Sequence, residues 1–193
     1  MSAEPQHALL ALAVLGAVFC IASILYSVLF PSSRTWPIPA SHGPHASVRR
    51  FINHATGPTI GVSAAALVVV AVLDFGSLRL PSWLHMTAGA VLFSCGGAFA
   101  LAGYRTLGTR ISTGTAGELE VRGPYRLSRN PQYVGTVGVL LGTALLANSW
   151  LVLLGASIWS SWFVLAPIAE EPWLRSLLGN PYDEYLSRTR RYL

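Results

Sequence analysis

The chain has 193 residues, of which 52% are hydrophobic and only 11% are charged, and its mean hydropathy is +0.51. Because a soluble domain carries about 25% charged residues, this composition excludes an ordinary soluble protein and indicates a polytopic membrane protein. The net charge is +5, and arginine is the only basic residue besides histidine. Attraction to anionic lipid headgroups explains that charge, so we expect membrane lipids and no nucleic acid as partners.

Four apolar blocks, taken in chain order, predict the membrane-spanning helices: residues 8–30, 58–75, 81–101 and 133–169. The first block follows a short segment without basic residues and shows no cleavage site, so we expect a retained span. The last block holds 37 uncharged residues, and one helix of that length would measure roughly 55 Å against a hydrocarbon core of about 30 Å. It therefore predicts a hairpin that turns at Asn148, Ser149 and Trp150. The expected fold is an all-α polytopic membrane protein with about five transmembrane helices.

The distribution of arginine supports five spans rather than four. Of the thirteen arginines, only Arg79 falls in a loop that a five-helix arrangement places on the opposite side from the rest. Cytoplasmic loops are enriched in arginine and lysine. We therefore expect the N-terminus outside and the tail in the cytoplasm, in the inner membrane of a bacterium.

The polar segments between the blocks predict loops and a two-part organisation. Residues 31–57 hold four of the twelve prolines, so we expect an irregular start followed by a short interfacial helix over 46–52. Residues 106–122 are rich in glycine, threonine and serine, and predict a loop with one short extended piece at 118–121. We divide the chain into a three-helix membrane region, 1–103, and a functional core, 104–193. Scattered histidines and two cysteines within apolar blocks give no metal-binding spacing.

The residues after the hairpin predict a cytoplasmic amphipathic tail. Gly179 is suited to end one helix, while Asn180 and Pro181 are suited to begin the next. At helical spacing, the apolar face of that last helix contains Tyr182, Tyr185, Leu186, Thr189 and Leu193. Such a helix is expected to lie on the membrane surface.

A hairpin returns both polar ends of the last block to one membrane face, which brings arginines and tyrosines opposite two glutamates. Ordinary boundary charges, positive-inside anchors and interfacial tyrosines explain each of these residues separately. The functional alternative is a site for a zwitterionic, positively charged cofactor. A glutamate would pair with its ammonium, and an arginine would bind its carboxylate or a lipid phosphate.

Three segments resemble the isoprenylcysteine carboxyl methyltransferase and phospholipid methyltransferase superfamily. They are Gly-Pro-Tyr-Arg-Leu-Ser-Arg-Asn-Pro-Gln-Tyr-Val-Gly at 123–135, Glu-Glu-Pro-Trp-Leu at 170–174, and the tail 178–193. The resemblance covers about residues 104–193 and implies an integral membrane enzyme that uses S-adenosylmethionine. It implies a cofactor site with Tyr125, Arg126, Arg129, Asn130, Tyr133 and Gly135 on one wall and Glu170 and Glu171 on the other.

The resemblance also implies roles within that site. Arg129, Asn130, Tyr133 and Glu171 would be catalytic, with Glu171 expected to pair with the ammonium of the cofactor. Asn130 stands where the eukaryotic enzymes have a histidine, so any role that requires a titrating imidazole is absent here. We further expect Arg188 and Arg191 to help to hold an anionic group of the substrate.

The methyl acceptor is expected to be lipidic, because the site lies at the bilayer surface. The first hypothesis is the carboxylate of a prenylcysteine-like compound, and the alternatives are the amine of a phospholipid such as phosphatidylethanolamine and a small thiol. Two interpretations from other classes remain open. One is a non-catalytic membrane scaffold or transporter subunit, and the other is a membrane reductase that binds a nicotinamide cofactor.

Overall fold

A computed structural model describes residues 4–37, 46–108 and 117–193. Within those ranges the chain forms helices and short 3-10 turns and contains no strand, which confirms the all-α prediction. The helices are α1 (Pro5–Leu29), α2 (Ala46–Leu73), α3 (Ser82–Leu107), α4 (Pro131–Ala147), α5 (Trp150–Leu178) and α6 (Asn180–Arg188). The centre of the predicted proline-rich loop, 38–45, and residues 109–116 of the predicted 106–122 loop lie outside the described residues.

Four of these helices, α1, α2, α3 and α5, are long and apolar enough to cross a membrane, and α4 is a shorter apolar helix of 17 residues. Together they account for the five predicted spans. The predicted hairpin is present as α4 and α5, with its turn at Asn148 and Ser149. Asn148 adopts the left-handed conformation with φ 50°, which asparagine tolerates better than most residues, and Ser149 caps α5 by accepting a hydrogen bond from the Val152 N–H. Which end of the bundle faces the cytoplasm stays a prediction.

Several helix boundaries differ from those expected. The interfacial helix predicted over 46–52 is the beginning of α2, which continues through Pro58 to Leu73. Likewise, α5 continues past the glutamate pair and Pro172 to Leu178, where Gly179, whose φ of 61° favours glycine, caps it as the sequence predicted. Prolines are tolerated inside membrane helices when neighbouring groups bond the freed carbonyls, so proline was a poor boundary signal here. In contrast, α6 is shorter than expected and ends at Arg188. Leu193, which was expected on its apolar face, therefore lies beyond the helix and is exposed.

The helices pack in two interfaces that meet at α4 and α5. On one side α1 packs against α2 and α5 through small buried side chains, and the indole N–H of Trp159 donates to the Ala13 carbonyl at 3.2 Å. On the other side α3 and α4 lie close enough for their backbones to touch at glycines. A Cβ on Gly135 would lie 2.4 Å from the backbone nitrogen of Ala100. The α3–α4 interface crosses the proposed division at 103/104, which stays a prediction.

A polar cluster fixes the hairpin turn to the loop between α2 and α3. The carboxylate of Asp74 accepts hydrogen bonds from the Ser149 hydroxyl at 2.5 Å, the Ser77 hydroxyl at 2.7 Å and the Leu151 N–H at 3.2 Å. The side chain of Asn148 bonds both the N–H and the carbonyl of Leu80. Burial would raise the pKa of Asp74, but these hydrogen bonds outweigh it and lower that pKa. This end of the bundle therefore sets the position of α4 and α5, whose other ends form the site described next.

Candidate active site

A cavity lies at the end of the bundle where α4 begins and α5 approaches its last turns. It holds about 860 Å³ of empty space, including its open mouth. The wall combines aromatic and leucine side chains with a few charged groups, which is the usual character of a ligand-binding site.

Most of the predicted site residues line this cavity. They are Tyr125, Arg129, Asn130, Tyr133, Glu170 and Glu171. Arg126 does not line the cavity and is exposed. Gly135 lies on α4 two residues after Tyr133, where it packs against α3. Arg188 is exposed and pairs with Glu184 on its own helix, and Arg191 stands behind the cavity wall in contact with Glu171.

The local sequence explains how these residues come together. Gly123–Arg126 form a 3-10 turn that buries the side chain of Tyr125. Asn130 then precedes α4, and Pro131 occupies its first turn, where a missing N–H costs nothing. Because α4 and α5 are antiparallel, Tyr133 in the first turn of α4 meets Glu170 near the end of α5.

Both donors bonded to Glu170 among the described residues are neutral. The Tyr133 hydroxyl and the indole N–H of Trp36 both donate to its Oε1, the latter at 2.5 Å. Within the described part of the chain, no arginine pairs with Glu170. The carboxylate adjoins a cluster of aromatic rings: those of Trp36 and Tyr133 lie 5.8 Å and 6.0 Å from the ring of Trp162. Carboxylate and aromatic faces together suit a cation.

Glu171 is bonded very differently, because two guanidinium groups share it. Arg129 donates one hydrogen bond from Nη1 to Oε1 at 2.9 Å. Arg191 donates two, from Nε to Oε1 at 2.9 Å and from Nη2 to Oε2 at 2.7 Å. The three side chains carry a net charge of +1. The Nε of Arg129 is buried and has no hydrogen-bond partner among the described residues, so this arginine retains a donor for an anionic group.

The tail after α6 holds the segment that carries Arg129 and Asn130. The Arg129 N–H donates to the Arg190 carbonyl at 2.9 Å. The Asn130 side-chain amide and the Ser128 hydroxyl both donate to the Arg191 carbonyl, at 3.0 Å and 3.2 Å. The nitrogen of the Asn130 side chain is therefore engaged with backbone, although the residue lines the cavity.

Three tyrosines close the side of the cavity formed by α6. Tyr182 and Tyr185 are buried, and the Tyr185 hydroxyl donates to the Tyr125 carbonyl at 2.7 Å. The tyrosine face of the amphipathic helix thus packs on protein. Burial raises the pKa of Tyr125 and Tyr182, and raises that of Tyr185 to about 12. All three hydroxyls are therefore neutral near pH 7 and act as hydrogen-bonding groups or ring surfaces.

Sequence reasoning missed two parts of the wall. Trp36 comes from the loop after α1, 134 residues before its partner Glu170, and no spacing rule connects the two. A leucine-rich side, formed by Leu107, Leu119, Leu174 and Leu178, was also missed. Helical spacing after the glutamate pair could have found Leu174 and Leu178, since they stand four residues apart on α5.

Comparison with known proteins identifies the family. The model of the family described as "Phospholipid methyltransferase" matches residues 84–181, just over half of the chain. The matched stretch runs from α3 into α6 and contains the cavity residues from Tyr125 to Glu171, and it confirms the superfamily resemblance seen in the sequence. Comparisons with curated proteins and with solved structures found no match. With its apolar helices and this match, the chain belongs to the phospholipid methyltransferase family of integral membrane methyltransferases.

Proposed function

We propose that this protein transfers a methyl group from S-adenosylmethionine to a lipidic acceptor at the membrane boundary. One observation carries the proposal. A single cavity contains Glu170, whose two bonded donors among residues 4–37, 46–108 and 117–193 are neutral, and Arg129, whose buried Nε has no hydrogen-bond partner within those ranges. This is the complementary pair that an amino-acid end group, with its ammonium and carboxylate, requires.

The residues fit S-adenosylmethionine group by group. Its ammonium would pair with Glu170, its carboxylate with Arg129, and its positively charged sulfur with the faces of Tyr133 and Trp36. This assignment moves the ammonium contact from Glu171, expected from the sequence, to Glu170. The reason is that both oxygens of Glu171 already accept hydrogen bonds from arginine. Glu171 then serves the site by holding Arg129.

The chemistry that S-adenosylmethionine supplies when bound is an electrophilic methyl group. The protein contributes position, because a nucleophile held in line with a methyl carbon reacts far faster than one in solution. The aromatic and leucine walls contribute exclusion of water. An anionic nucleophile loses its charge in the transition state, so a water-poor cavity favours its attack.

The leucine side of the cavity supports an acceptor with a hydrocarbon chain. As in the sequence-based hypothesis, we propose the carboxylate of a prenylcysteine-like compound, which needs no base. A phospholipid amine is the second candidate, favoured by the family match. An amine must lose a proton, and Glu170 beside the Tyr133 hydroxyl is a carboxylate of the cavity that can accept it.

The test combines ligand binding with methyl transfer in lipid nanodiscs. Calorimetry would measure S-adenosylhomocysteine binding to the wild type, to Glu170→Gln and to the control Glu184→Gln, whose carboxylate is exposed on α6. A charged hydrogen bond is worth about 1.5–3 kcal/mol, so the first variant should bind about 10- to 150-fold more weakly. Unchanged affinity in Glu170→Gln would refute the ammonium assignment.

Transfer of a labelled methyl group would then be measured with a farnesylcysteine derivative, phosphatidylethanolamine and a water-soluble thiol. Turnover of a lipidic acceptor supports the proposal. Turnover of the soluble thiol alone would refute the lipidic acceptor. A folded wild-type protein that neither binds the donor nor transfers a methyl group would favour the non-catalytic scaffold instead.

A further inference from the structure

The tail segment 189–193 is built into the wall behind the cavity. Its backbone accepts hydrogen bonds from the segment before α4, as described above, and the Tyr192 hydroxyl donates to the Val164 carbonyl of α5 at 2.5 Å. Arg191 is the one residue of this segment whose side chain bonds a cavity residue in the described part of the chain. Its side chain is 39% exposed, while that of Glu171 is only 13% exposed.

The two arginines make unequal numbers of hydrogen bonds to Glu171. Arg191 uses its Nε and Nη2 edge and engages both carboxylate oxygens, which is the bidentate geometry that arginine and carboxylate prefer. Within the described residues, the side chain of Arg129 donates one hydrogen bond to Glu171, from Nη1, and its Nε has no partner. Without Arg191, Glu171 would be free to form the bidentate pair with Arg129 itself.

We propose that Arg191 is a positioning residue that keeps Arg129 available for the carboxylate of the methyl donor, an inference that rests on the proposed function. By occupying Glu171, it prevents that glutamate from engaging the Nε edge of Arg129. It also keeps the Arg129–Glu171–Arg191 group at a net charge of +1, where an arginine–glutamate pair alone would be neutral. The role differs from the direct substrate contact expected from the sequence, because the side chain of Arg191 does not line the cavity.

The proposal predicts an effect that is specific to one functional group of the ligand. Replacing Arg191 with glutamine removes the bidentate partner of Glu171 and lowers the local charge by one. The carboxylate of the donor loses its partner, while the contacts of the adenosine and of the ammonium remain. A general loss of structure would instead weaken every ligand equally.

The experiment compares two ligands on the full-length protein in nanodiscs. One is S-adenosylhomocysteine, and the other is its decarboxylated analogue, which keeps the adenosine, the thioether and the ammonium. For Arg191→Gln we expect about tenfold weaker binding of the first and less than about twofold change for the second. Arg190→Gln is the matched control, because its side chain is exposed and only its backbone carbonyl contacts the site. It should bind both ligands like the wild type.

Steady-state kinetics give the second readout. The KM for the methyl donor should rise in Arg191→Gln, while kcat at saturating donor should stay within about twofold of the wild type. Arg191→Lys keeps the charge but cannot form the fork, so it should show the same ligand selectivity at a smaller size, about threefold. This variant carries the test if the glutamine variant does not fold.

Each outcome decides the question. Equal weakening of both ligands, or no weakening of S-adenosylhomocysteine in either variant, would overturn the positioning role while leaving the proposed function intact. A wild type that binds neither ligand would refute the proposed function and this inference with it.

Discussion

Replacing Gly135 with alanine tests whether this glycine serves the α3–α4 contact or the cofactor wall. An added Cβ would lie 2.4 Å from the Ala100 nitrogen, 2.5 Å from the Gly96 carbonyl oxygen and 2.7 Å from the Ala100 Cβ. Ordinary contacts begin near 3.4 Å. The two helices would therefore have to separate by about 1 Å, and the obstructing atoms are mostly backbone, which cannot turn aside.

The expected cost follows from two opposing effects. Overpacking of a close contact costs about 1–3 kcal/mol. Alanine is the better helix former by about 0.5–1 kcal/mol, which offsets part of that cost. The net destabilisation should be about 1–2 kcal/mol, or roughly 2–8 °C in Tm for a chain of this size.

Gly97→Ala is the matched control because it lies in the same pair of helices. A Cβ there would meet only the Val139 Cγ2, at 3.8 Å, so only the gain in helix propensity remains. Thermal unfolding in nanodiscs, followed by intrinsic fluorescence, should show a lower Tm for Gly135→Ala and an unchanged or higher Tm for Gly97→Ala. Equal Tm values for Gly135→Ala and the wild type would refute the packing argument. If S-adenosylhomocysteine binding were lost at the same time, the cofactor-wall role would be favoured.

Two further predictions concern Asp74 and Asn130. Because hydrogen bonds lower the pKa of Asp74 in the folded protein, its stabilising contribution is present above the ordinary aspartate pKa of about 3.9 and is lost as the pH falls through the lower folded value. At pH 7, Asp74→Asn should therefore have a lower Tm than the wild type, and this difference in Tm should disappear below about pH 4. A difference that stays constant with pH would contradict the prediction. The control is Asp183→Asn, because the Asp183 side chain is exposed on α6. Asn130→Ala removes the hydrogen bond that Asn130 donates to the Arg191 carbonyl, so it should act through Arg191. The double variant with Arg191→Gln should therefore bind S-adenosylhomocysteine no more than about twofold more weakly than Arg191→Gln alone. Additive losses would show that the two residues act separately.

The sequence was sufficient for the helices and for one half of the site. The 37 uncharged residues of the last block are too many for one crossing, so the hairpin followed from length, and its turn was predicted from the short uncharged segment 148–150. A hairpin necessarily returns Tyr133 to Glu170. The meeting of these residues in one cavity therefore depends on little more than the position of the turn.

The remaining contacts depend on tertiary packing that no local rule describes. Trp36 reaches Glu170 because α1 packs on α5, and nothing in the loop sequence identifies that partner. The sequence also could not show which of the nearby arginines lines the cavity. Arg126 and Arg129 are three residues apart, but Arg126 ends a 3-10 turn and is exposed, while Arg129 lies after that turn and before α4, so the two do not share a helical face.

The two adjacent glutamates show how neighbours in sequence can take opposite tasks. Successive side chains of a helix point about 100° apart, so Glu170 and Glu171 face different surroundings although they are consecutive residues of α5. Glu170 faces the aromatic rings of α4, α5 and the first loop, where hydroxyl and indole donors are the available partners. Glu171 faces the tail and the segment before α4, where arginines are available. On the proposed assignment, Glu170 is left without an arginine partner among the described residues and faces the cationic end of the ligand, while Glu171 holds a guanidinium in place for the anionic end. On that assignment, a single glutamate at either position would leave one end of a zwitterionic ligand without its partner.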